Sequence, residues 1–246
     1  MIENFLNTLI ILPHIDDEFA ILPLLKKMAN FDNKFIRLVY CAERQKSLNK
    51  FVRRKENFAA LKILGLEKVK TIYLNDFFEI NGTYLYKASK NIYNYLENLN
   101  KEFLIHQVLT LNYEGGHPDH DALALIVDKF ATKYNVRAFY FPAYNPRKTL
   151  LIPLSVCKPL KAQEHFFQYK LYKRFCWIDF FPLFFIYKSE FSAFIKLLPL
   201  FIIQIFSRKL YYANKVNLET VIWKYSFSWN IYRIDREEID LYINLI

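Results

Sequence analysis

Residues 8–18 of the chain read TLIILPHIDDE, an apolar run that leads directly into a group of charged and polar residues. The uninterrupted run Thr8–Leu12 predicts a buried strand, because strands covered on both faces lack the polar alternation of half-exposed ones. The polar residues from His14 to Glu18 then lie in the turn at the carboxyl end of this strand. In open α/β sheets, ligands bind at that end of the strands.

The same alternation of apolar runs and amphipathic segments continues through the first 143 residues. Four more runs predict strands, at Phe35–Cys41, Val69–Leu74, Phe103–Leu111 and Arg137–Pro142. The segments between the runs predict helices, at Glu18–Asn30, Lys50–Leu64, Lys87–Leu99 and Asp119–Tyr134. Such a series predicts a Rossmann-like three-layer α/β sandwich with a mostly parallel sheet, and we expect the strand order 3-2-1-4-5.

The composition divides the chain into two parts. Residues 1–145 carry the alternation and are expected to form the Rossmann-like core, whereas residues 166–212 hold 17 aromatic side chains. We predict that residues 146–246 are a C-terminal elaboration packed on the core within the same domain. The alternative is that its aromatic face lies on a membrane surface. The cysteines Cys41, Cys157 and Cys176 are too few and too widely spaced for a disulfide scaffold or a thiolate metal site.

The charge of the chain points to an anionic partner. Lysine and arginine exceed aspartate and glutamate by 10, which suits a nucleic acid, a phospholipid surface or a phosphorylated small substrate. The longest uncharged run of the aromatic segment, Leu197–Ser207, is shorter than the roughly 20 residues that cross a bilayer. The first residues lack the basic region and cleavage site of a signal peptide, so we expect a cytoplasmic protein, with peripheral contact at the inner face of the membrane as a further possibility.

Three of the five histidines fall in two compact motifs, PHIDDE at residues 13–18 and GGHPDHD at residues 115–121. A catalytic zinc ion takes about three protein ligands and keeps one position open for water. His14 and Asp17 are three residues apart at a strand-to-helix turn, so both side chains can reach one ion. Asp16 then points elsewhere and is free to take a proton from water.

The second motif offers two histidines with the same spacing, His117 and His120. One of them is expected to bind the metal and the other to face the substrate, since a site with an open position rarely uses four ligands. Asp119 could keep the second imidazole protonated, because a nearby carboxylate favours the charged form. The spacing alone leaves open which histidine has which role.

Together the two motifs resemble those of the PIG-L/LmbE family of zinc-dependent N-deacetylases, (P/A)H-x-DD and HPDH. The resemblance implies a Zn²⁺ ion, with Fe²⁺ as an alternative, held by His14, Asp17 and His120. It implies that Asp16 is the general base and that His117 steadies the oxyanion and assists the leaving amine. Asp119 matches the residue that orients His117.

Further matches concern the substrate. Arg53 begins a segment that is similar to the family helix R-x-x-E-x-x-x-A-x-x-x-LG, and the resemblance implies that it contacts the substrate. Asp76 follows the third predicted strand, where relatives carry a substrate-loop aspartate, and Tyr113 can replace a tyrosine that some relatives place before HPDH. The chain departs from the family at Leu22 and Pro23, where a Gly-Gly pair is usual, and the stretch CAERQ replaces a threonine-glycine stretch. Both departures concern the pocket wall.

The resemblance implies hydrolysis of an N-acetyl group from an N-acetylglucosamine-type amino sugar, on an anionic or lipid-linked carrier in glycan or glycolipid biosynthesis. A second hypothesis is a zinc amidase that acts on a thiol-sugar conjugate or another acylated amine. A third is a non-catalytic module that binds anionic surfaces. The chain shows no recognised nucleic-acid motif, so no nucleic-acid partner is expected, and an oligomer remains open.

Overall fold

Five parallel strands form the central sheet of the computed structural model, which describes residues 2–43, 50–82, 84–145, 155–159, 167–170, 181–205, 209–216 and 236–246. The strands are β1 (Thr8–His14), β2 (Ile36–Ala42), β3 (Lys70–Tyr73), β4 (Gln107–Leu111) and β5 (Arg137–Phe141). Their order is β3-β2-β1-β4-β5, and every adjacent pair is parallel. The predicted fold class and strand order are therefore confirmed.

Helices cover both faces of this sheet. They are α1 (Leu22–Met28), α2 (Lys50–Leu64), α3 (Ser89–Phe103) and α4 (Pro118–Tyr134). Alternate residues of β1 divide between two cores: Ile10 and Leu12 pack with α1 and α2, whereas Leu9 and Ile11 pack with α3 and α4. A strand buried on both faces needs an apolar residue at every position, which explains the uninterrupted run.

The described C-terminal residues form short elements. They are β6 (Tyr144–Asn145), β7 (Ser155–Val156), β8 (Phe167–Lys170), α5 (Leu183–Ile186), α6 (Phe191–Ile205), β9 (Lys209–Tyr212) and α7 (Arg236–Asn244). Strands β6 and β7 pair antiparallel, as do β8 and β9. Leu183, Phe184 and Phe194 join the core on the α1/α2 side, and α7 packs on the α3/α4 side. The domain boundary after residue 145 stays a prediction, and Cys176 lies outside the described residues.

Two predicted elements differ from the structure. The helix expected at Glu18–Asn30 is divided into a short 3-10 helix at Asp17–Ala20 and α1, because Pro23 is suited to the first turn of a new helix and not to a helix interior. The strand expected from Phe103 begins only at Gln107. Phe103 is instead the last buried residue of α3, which ends at Leu104 in a left-handed conformation.

None of the helices that the structure describes is long and apolar enough to cross a bilayer. This includes α6, which is rich in apolar residues and carries Pro199 in its interior.

Gly65 ends α2 in a conformation that other residues rarely adopt. Its φ is +78°, and the amides of Gly65 and Leu66 donate to the carbonyls of Lys62 and Leu61 in a Schellman-type cap. A Cβ atom at this position would lie 3.2 Å from the Cβ of Ala29. Both effects disfavour any larger residue.

We expect Gly65→Ala to lower the free energy of unfolding by about 1–2 kcal/mol, because alanine is strained at a positive φ. Urea denaturation followed by circular dichroism measures this change. The matched control is Gly82→Ala, where the new Cβ would meet its nearest neighbours at an ordinary 3.5 Å. Equal losses in the two variants would contradict the role of the Gly65 backbone conformation.

Candidate active site

The two charged motifs meet because their strands are neighbours. Strands β1 and β4 pair in parallel, so the turn after β1 and the start of α4 lie at the same edge of the sheet. His14 is the last residue of β1, and His117 is the N-cap of α4. The His14 Nε2 lies 2.8 Å from Asp119 Oδ2, which joins the motifs directly.

The side chains at this edge form two overlapping groups that could each hold a metal ion. The ligand atoms of His14, Asp17 and His120 lie within 4.8 Å of one another, as do those of His14, His117 and Asp119. One ion bonded at about 2 Å to each atom can bring such a set together with small side-chain movements. Two imidazoles and one carboxylate are also the donor types that zinc and iron(II) take in catalytic sites. The residues present therefore fit a catalytic metal.

Asp17 bridges the histidines of the first group. Its Oδ2 lies 3.1 Å from His14 Nδ1 and its Oδ1 lies 3.2 Å from His120 Nε2. Burial alone would lower the pKa of His14, but the carboxylates of Asp17 and Asp119 outweigh it and raise that pKa to about 10. Burial likewise opposes ionisation of Asp17, yet His120 and His14 hold its pKa well below the usual range. The site is thus built to stabilise positive charge.

Asp119 contacts His117, His14 and the backbone of Leu85. Its carboxylate accepts from the backbone N–H of Leu85 at 2.9 Å and contacts His14, while its hydrogen bond to His117 comes from its backbone N–H at 3.0 Å. His117 Nδ1 is the acceptor of that bond, so the ring proton of the neutral imidazole lies on Nε2. The backbone amide at the start of α4 thus helps to fix the ring of His117.

Asp16 sits in the turn between β1 and the first 3-10 helix with a φ of 98°, a strained conformation for a residue other than glycine. Its backbone N–H donates to Glu18 at 3.0 Å, and its carboxylate accepts from Arg53 at 3.2 Å. Burial raises the pKa of Asp16 to about 7, although the Arg53 guanidinium opposes the shift. A carboxylate with that pKa suits proton transfer near neutral pH.

A cavity of about 120 Å³ opens beside these groups. One side is polar and is formed by His14, Asp16, Asp17, Arg53, His117 and Glu190. The other side is mainly apolar and is formed by Phe19, Ala20, Ala143, Val156, Cys157, Phe184, Phe194 and Leu197. The rings of Phe184 and Phe194 lie 5.1 and 4.6 Å from the ring of Phe19, so the apolar wall is a packed aromatic cluster.

The three residues predicted to contact the substrate lie in different places. Arg53 lines the cavity but is buried and paired with Asp16 and Glu190. Asp76 lies on the surface in ion pairs with Arg54 and Lys50, and it is not part of the described cavity wall. Tyr113 is fully buried in the core and likewise does not line the cavity. As the structure stands, only Arg53 of the three can reach a molecule in the cavity.

Sequence reasoning missed two acidic residues near the cavity, Glu18 and Glu190. Glu18 is fully buried and accepts from Tyr40, Asn57 and Tyr187, and burial raises its pKa to about 8. It thereby ties the first motif to α2 and to the C-terminal part. Glu190 carries one weak sequence signal: it is the single acid of residues 180–207.

Comparison with protein families assigns the first half of the chain. The model of the family described as PIG-L, GlcNAc-PI de-N-acetylase, matches residues 9–131 and so includes both charged motifs. The chain belongs to the PIG-L family. Its members are deacetylases that depend on a metal, so the chain is a metal-dependent hydrolase of N-acetyl amides. The predicted family and enzyme class are confirmed. No curated protein matches the chain in sequence.

Solved structures share the fold at low sequence identity. A deacetylase from the teicoplanin biosynthesis pathway matches 79% of this chain and 88% of its own, at 15% identity and a TM-score of 0.55. The A40926 pseudoaglycone deacetylase Dbv21 matches 77% of this chain and 84% of its own, at 15% identity and a TM-score of 0.54. The conserved protein TT1542 from Thermus thermophilus matches 89% and 99%, at 16% identity and a TM-score of 0.53.

Glu114 is a buried acid that binds the backbone of Ala143, a residue of the cavity wall. Its carboxylate accepts from the backbone N–H of Ala143 at 2.9 Å and from the side chain of Asn145 at 2.8 Å. Burial raises the pKa of Glu114 from 4.5 to about 8, although these two hydrogen bonds oppose the shift. The folded protein therefore keeps this group protonated over a range in which the unfolded chain ionises it.

We expect stability to fall as the pH rises from about 5 to about 8, because only the unfolded state releases the Glu114 proton in that range. In Glu114→Gln, this fall should be smaller by about 2–4 kcal/mol. Denaturant unfolding at several pH values, with chelator present, measures it. Glu97→Gln is the control, because Lys133 and Tyr134 lower the pKa of Glu97 below that range. Parallel pH profiles for wild type and Glu114→Gln would contradict the assignment.

Proposed function

We propose that the enzyme removes the acetyl group from an N-acetylglucosamine-type amino sugar with a zinc ion held by His14, Asp17 and His120. Iron(II) is the alternative metal. One observation carries the proposal: these three side chains lie within 4.8 Å of one another beside a cavity that Asp16 and His117 line. The family description, GlcNAc-PI de-N-acetylase, supports the amino sugar.

Two features favour this ligand set over the group of His14, His117 and Asp119. His117 lines the cavity, whereas His120 is not among the described lining residues. Asp119 is fully buried and already accepts from the Leu85 amide, which limits its access to an ion. His117 therefore faces the substrate, and His120 completes the metal site.

When bound, the ion supplies an activated water and polarises the acyl carbonyl. Asp16 accepts the proton of the attacking water, a role that suits its pKa of about 7. His117 donates from Nε2 to the carbonyl oxygen as negative charge develops there, because its Nδ1 is occupied by the Asp119 amide. Asp16 then returns the proton to the nitrogen, and His117 assists the leaving amine as the C–N bond breaks, which gives acetate and the free amine.

The cavity wall suits the acyl part of this substrate. The methyl of an acetyl group can pack against Phe19, Phe184 and Phe194, which are buried but line the cavity. The polar side presents Asp16 and His117 to the amide. A second substrate class, a thiol-sugar conjugate or another acylated amine, would use the same groups, since the chemistry concerns only the amide.

We expect Asp16→Asn to lower the rate of acetate release by about 100-fold to 10,000-fold, because the amide cannot accept the proton. The variant should retain its metal, measured by elemental analysis. His120→Ala should lose both metal and activity. The control is Asp32→Asn, which changes an exposed aspartate paired with Lys34 and should leave the rate unchanged.

The substrate class follows from the same assay. A panel of N-acetylglucosamine derivatives, thiol-sugar conjugates and simple N-acyl amines identifies the preferred substrate from the amine released. Preference for a thiol-sugar conjugate would replace the glucosamine proposal with the amidase one. Wild-type acetate release in Asp16→Asn would instead contradict the role of Asp16 as the base.

We also propose an anionic or lipid-linked carrier and peripheral contact with anionic lipid. The support is a surface that we call the α5–α6 face, formed by exposed Phe181, Phe185, Phe191 and Ile195 with exposed Lys188 and Lys196. Its nearby acid, Glu190, is buried, so the exposed charge of this face is positive. Aromatic and basic residues together are typical of helices that lie at a membrane surface. The inner sides of α5 and α6 line the cavity.

We expect the enzyme to sediment with anionic phospholipid vesicles at low salt and to be released at high salt. Phe185→Ser combined with Phe191→Ser should weaken this binding, because it removes apolar area from the α5–α6 face. The control is Leu241→Ser, which removes a still more exposed apolar side chain from α7. Absence of sedimentation at low salt would exclude the membrane part of the proposal and leave the chemistry unaffected.

A further inference from the structure

The short 3-10 helix at Lys188–Glu190 attaches the C-terminal part to α2 next to the catalytic turn. The backbone N–H of Ser189 donates to Glu56 at 3.0 Å, and the Ser189 hydroxyl donates to the same carboxylate. One residue later, Glu190 accepts a hydrogen bond from Arg53. Ser189 and Glu190 of the C-terminal part thus bind Glu56 and Arg53, two side chains that lie one turn apart on α2.

Arg53 is surrounded by acceptors. Its side chain is only 9% exposed, and its guanidinium donates to Glu190, to the carbonyl of Ile15 and, at 3.2 Å, to the carboxylate of Asp16. The donors of a guanidinium form a rigid planar fork, so fixing one edge of the plane fixes the others. Glu190 therefore determines the direction in which Arg53 presents its remaining donors to Asp16.

Asp16 needs such support because its backbone is strained and its carboxylate borders the cavity. Without Glu190, the buried guanidinium would have Asp16 as its single anionic partner among the described residues, and a buried charge that loses a partner is left partly uncompensated. The Asp16 carboxylate would then be drawn toward Arg53 and away from the attacking water. A displacement of this kind affects the chemical step more than the binding of substrate.

We infer that Glu190 is a positioning residue, which holds Arg53 so that the Asp16 carboxylate keeps its place at the cavity. The inference rests on the proposed role of Asp16 as the base. It gives the C-terminal part a function in catalysis, because Glu190 lies 137 residues from Arg53 along the chain. It also changes the role that the sequence predicted for Arg53, from contact with substrate to support of the base.

In the alternative, Arg53 binds an anionic group of the substrate, and Glu190 only neutralises the charge of Arg53. The buried Nε of Arg53 has no hydrogen-bond partner among the described residues, which leaves one donor for such a group. The two roles differ in what the loss of the Glu190 charge does. Loss of a positioning residue lowers kcat, whereas loss of a neutralising partner frees Arg53 and lowers KM for an anionic substrate.

The test is Glu190→Gln, assayed for kcat, KM and metal content on a neutral and a phosphorylated N-acetylglucosamine derivative. We expect kcat to fall by about 10-fold to 100-fold, a typical effect of losing a supporting partner, with KM for both substrates within about twofold and the metal retained. Glu190→Asp, which keeps the charge, should recover part of kcat. Arg53→Lys should also lower kcat, because an ammonium group cannot span both carboxylates.

A matched control removes the carboxylate partner of Arg54, the next arginine of the same helix. Glu43→Gln breaks the ion pair with Arg54, whose Nε lies 2.7 Å from Glu43, and neither residue lines the cavity. This variant should keep the wild-type kcat. A kcat in Glu190→Gln equal to that of Glu43→Gln would overturn the inference, as would a lower KM for the phosphorylated substrate alone with kcat retained.

Two further outcomes distinguish a failure of the inference from a failure of the proposed function. If the wild-type enzyme releases acetate and Asp16→Asn does not, the proposed function stands whatever Glu190→Gln does. If Glu190→Gln does not fold, Glu190→Asp and Arg53→Lys decide the matter, and wild-type kcat in both would overturn the inference.

Discussion

The carboxylate of Asp17 lies between the imidazoles of His14 and His120, and this contact joins the turn after β1 to the first turn of α4. All three groups are buried or nearly so, and an isolated buried charge is costly. Each group is therefore stable only in the presence of the others or of a bound cation. This requirement extends to the fold. The turn after β1 and the start of α4 can meet only if β1 and β4 are neighbours that run in the same direction.

Much of this arrangement could be predicted because it follows from local sequence and parallel-sheet geometry. The bounds of α2 agree with the prediction at both ends, since Gly65 stops a helix whose buried residues recur at helical spacing. The predicted strand order places β1 beside β4, and parallel strands bring their carboxyl ends to one edge, so the two motifs meet there. The predicted element bounds were wrong at two places where one pattern runs into the next. Pro23 lies inside an apolar segment, and Phe103 lies at the junction of a helix and a strand.

The contacts within the site could be predicted less well. Asp119 was expected to orient His117, and no feature of the sequence indicated that its carboxylate also contacts His14 and the Leu85 amide. Motif spacing gives the residues that share a loop, yet it does not give their side-chain directions or the backbone amides they meet. Arg53 is a stronger case: its partner Glu190 comes from a segment without any motif, and a contact over 137 residues leaves no trace in local periodicity.

The two parts of the chain contribute different residues to the cavity wall. Its polar groups His14, Asp16, Asp17, Arg53 and His117 lie within the family match, which ends at residue 131. Most of its apolar wall, with Glu190, comes from residues beyond that match: Ala143, Val156, Cys157, Phe184, Phe194 and Leu197. In the proposed mechanism the reacting groups act on the amide itself, whereas the apolar wall would contact the groups attached to that amide. Differences in substrate among proteins with this chemistry are therefore expected to follow the C-terminal part, which the family motifs do not describe.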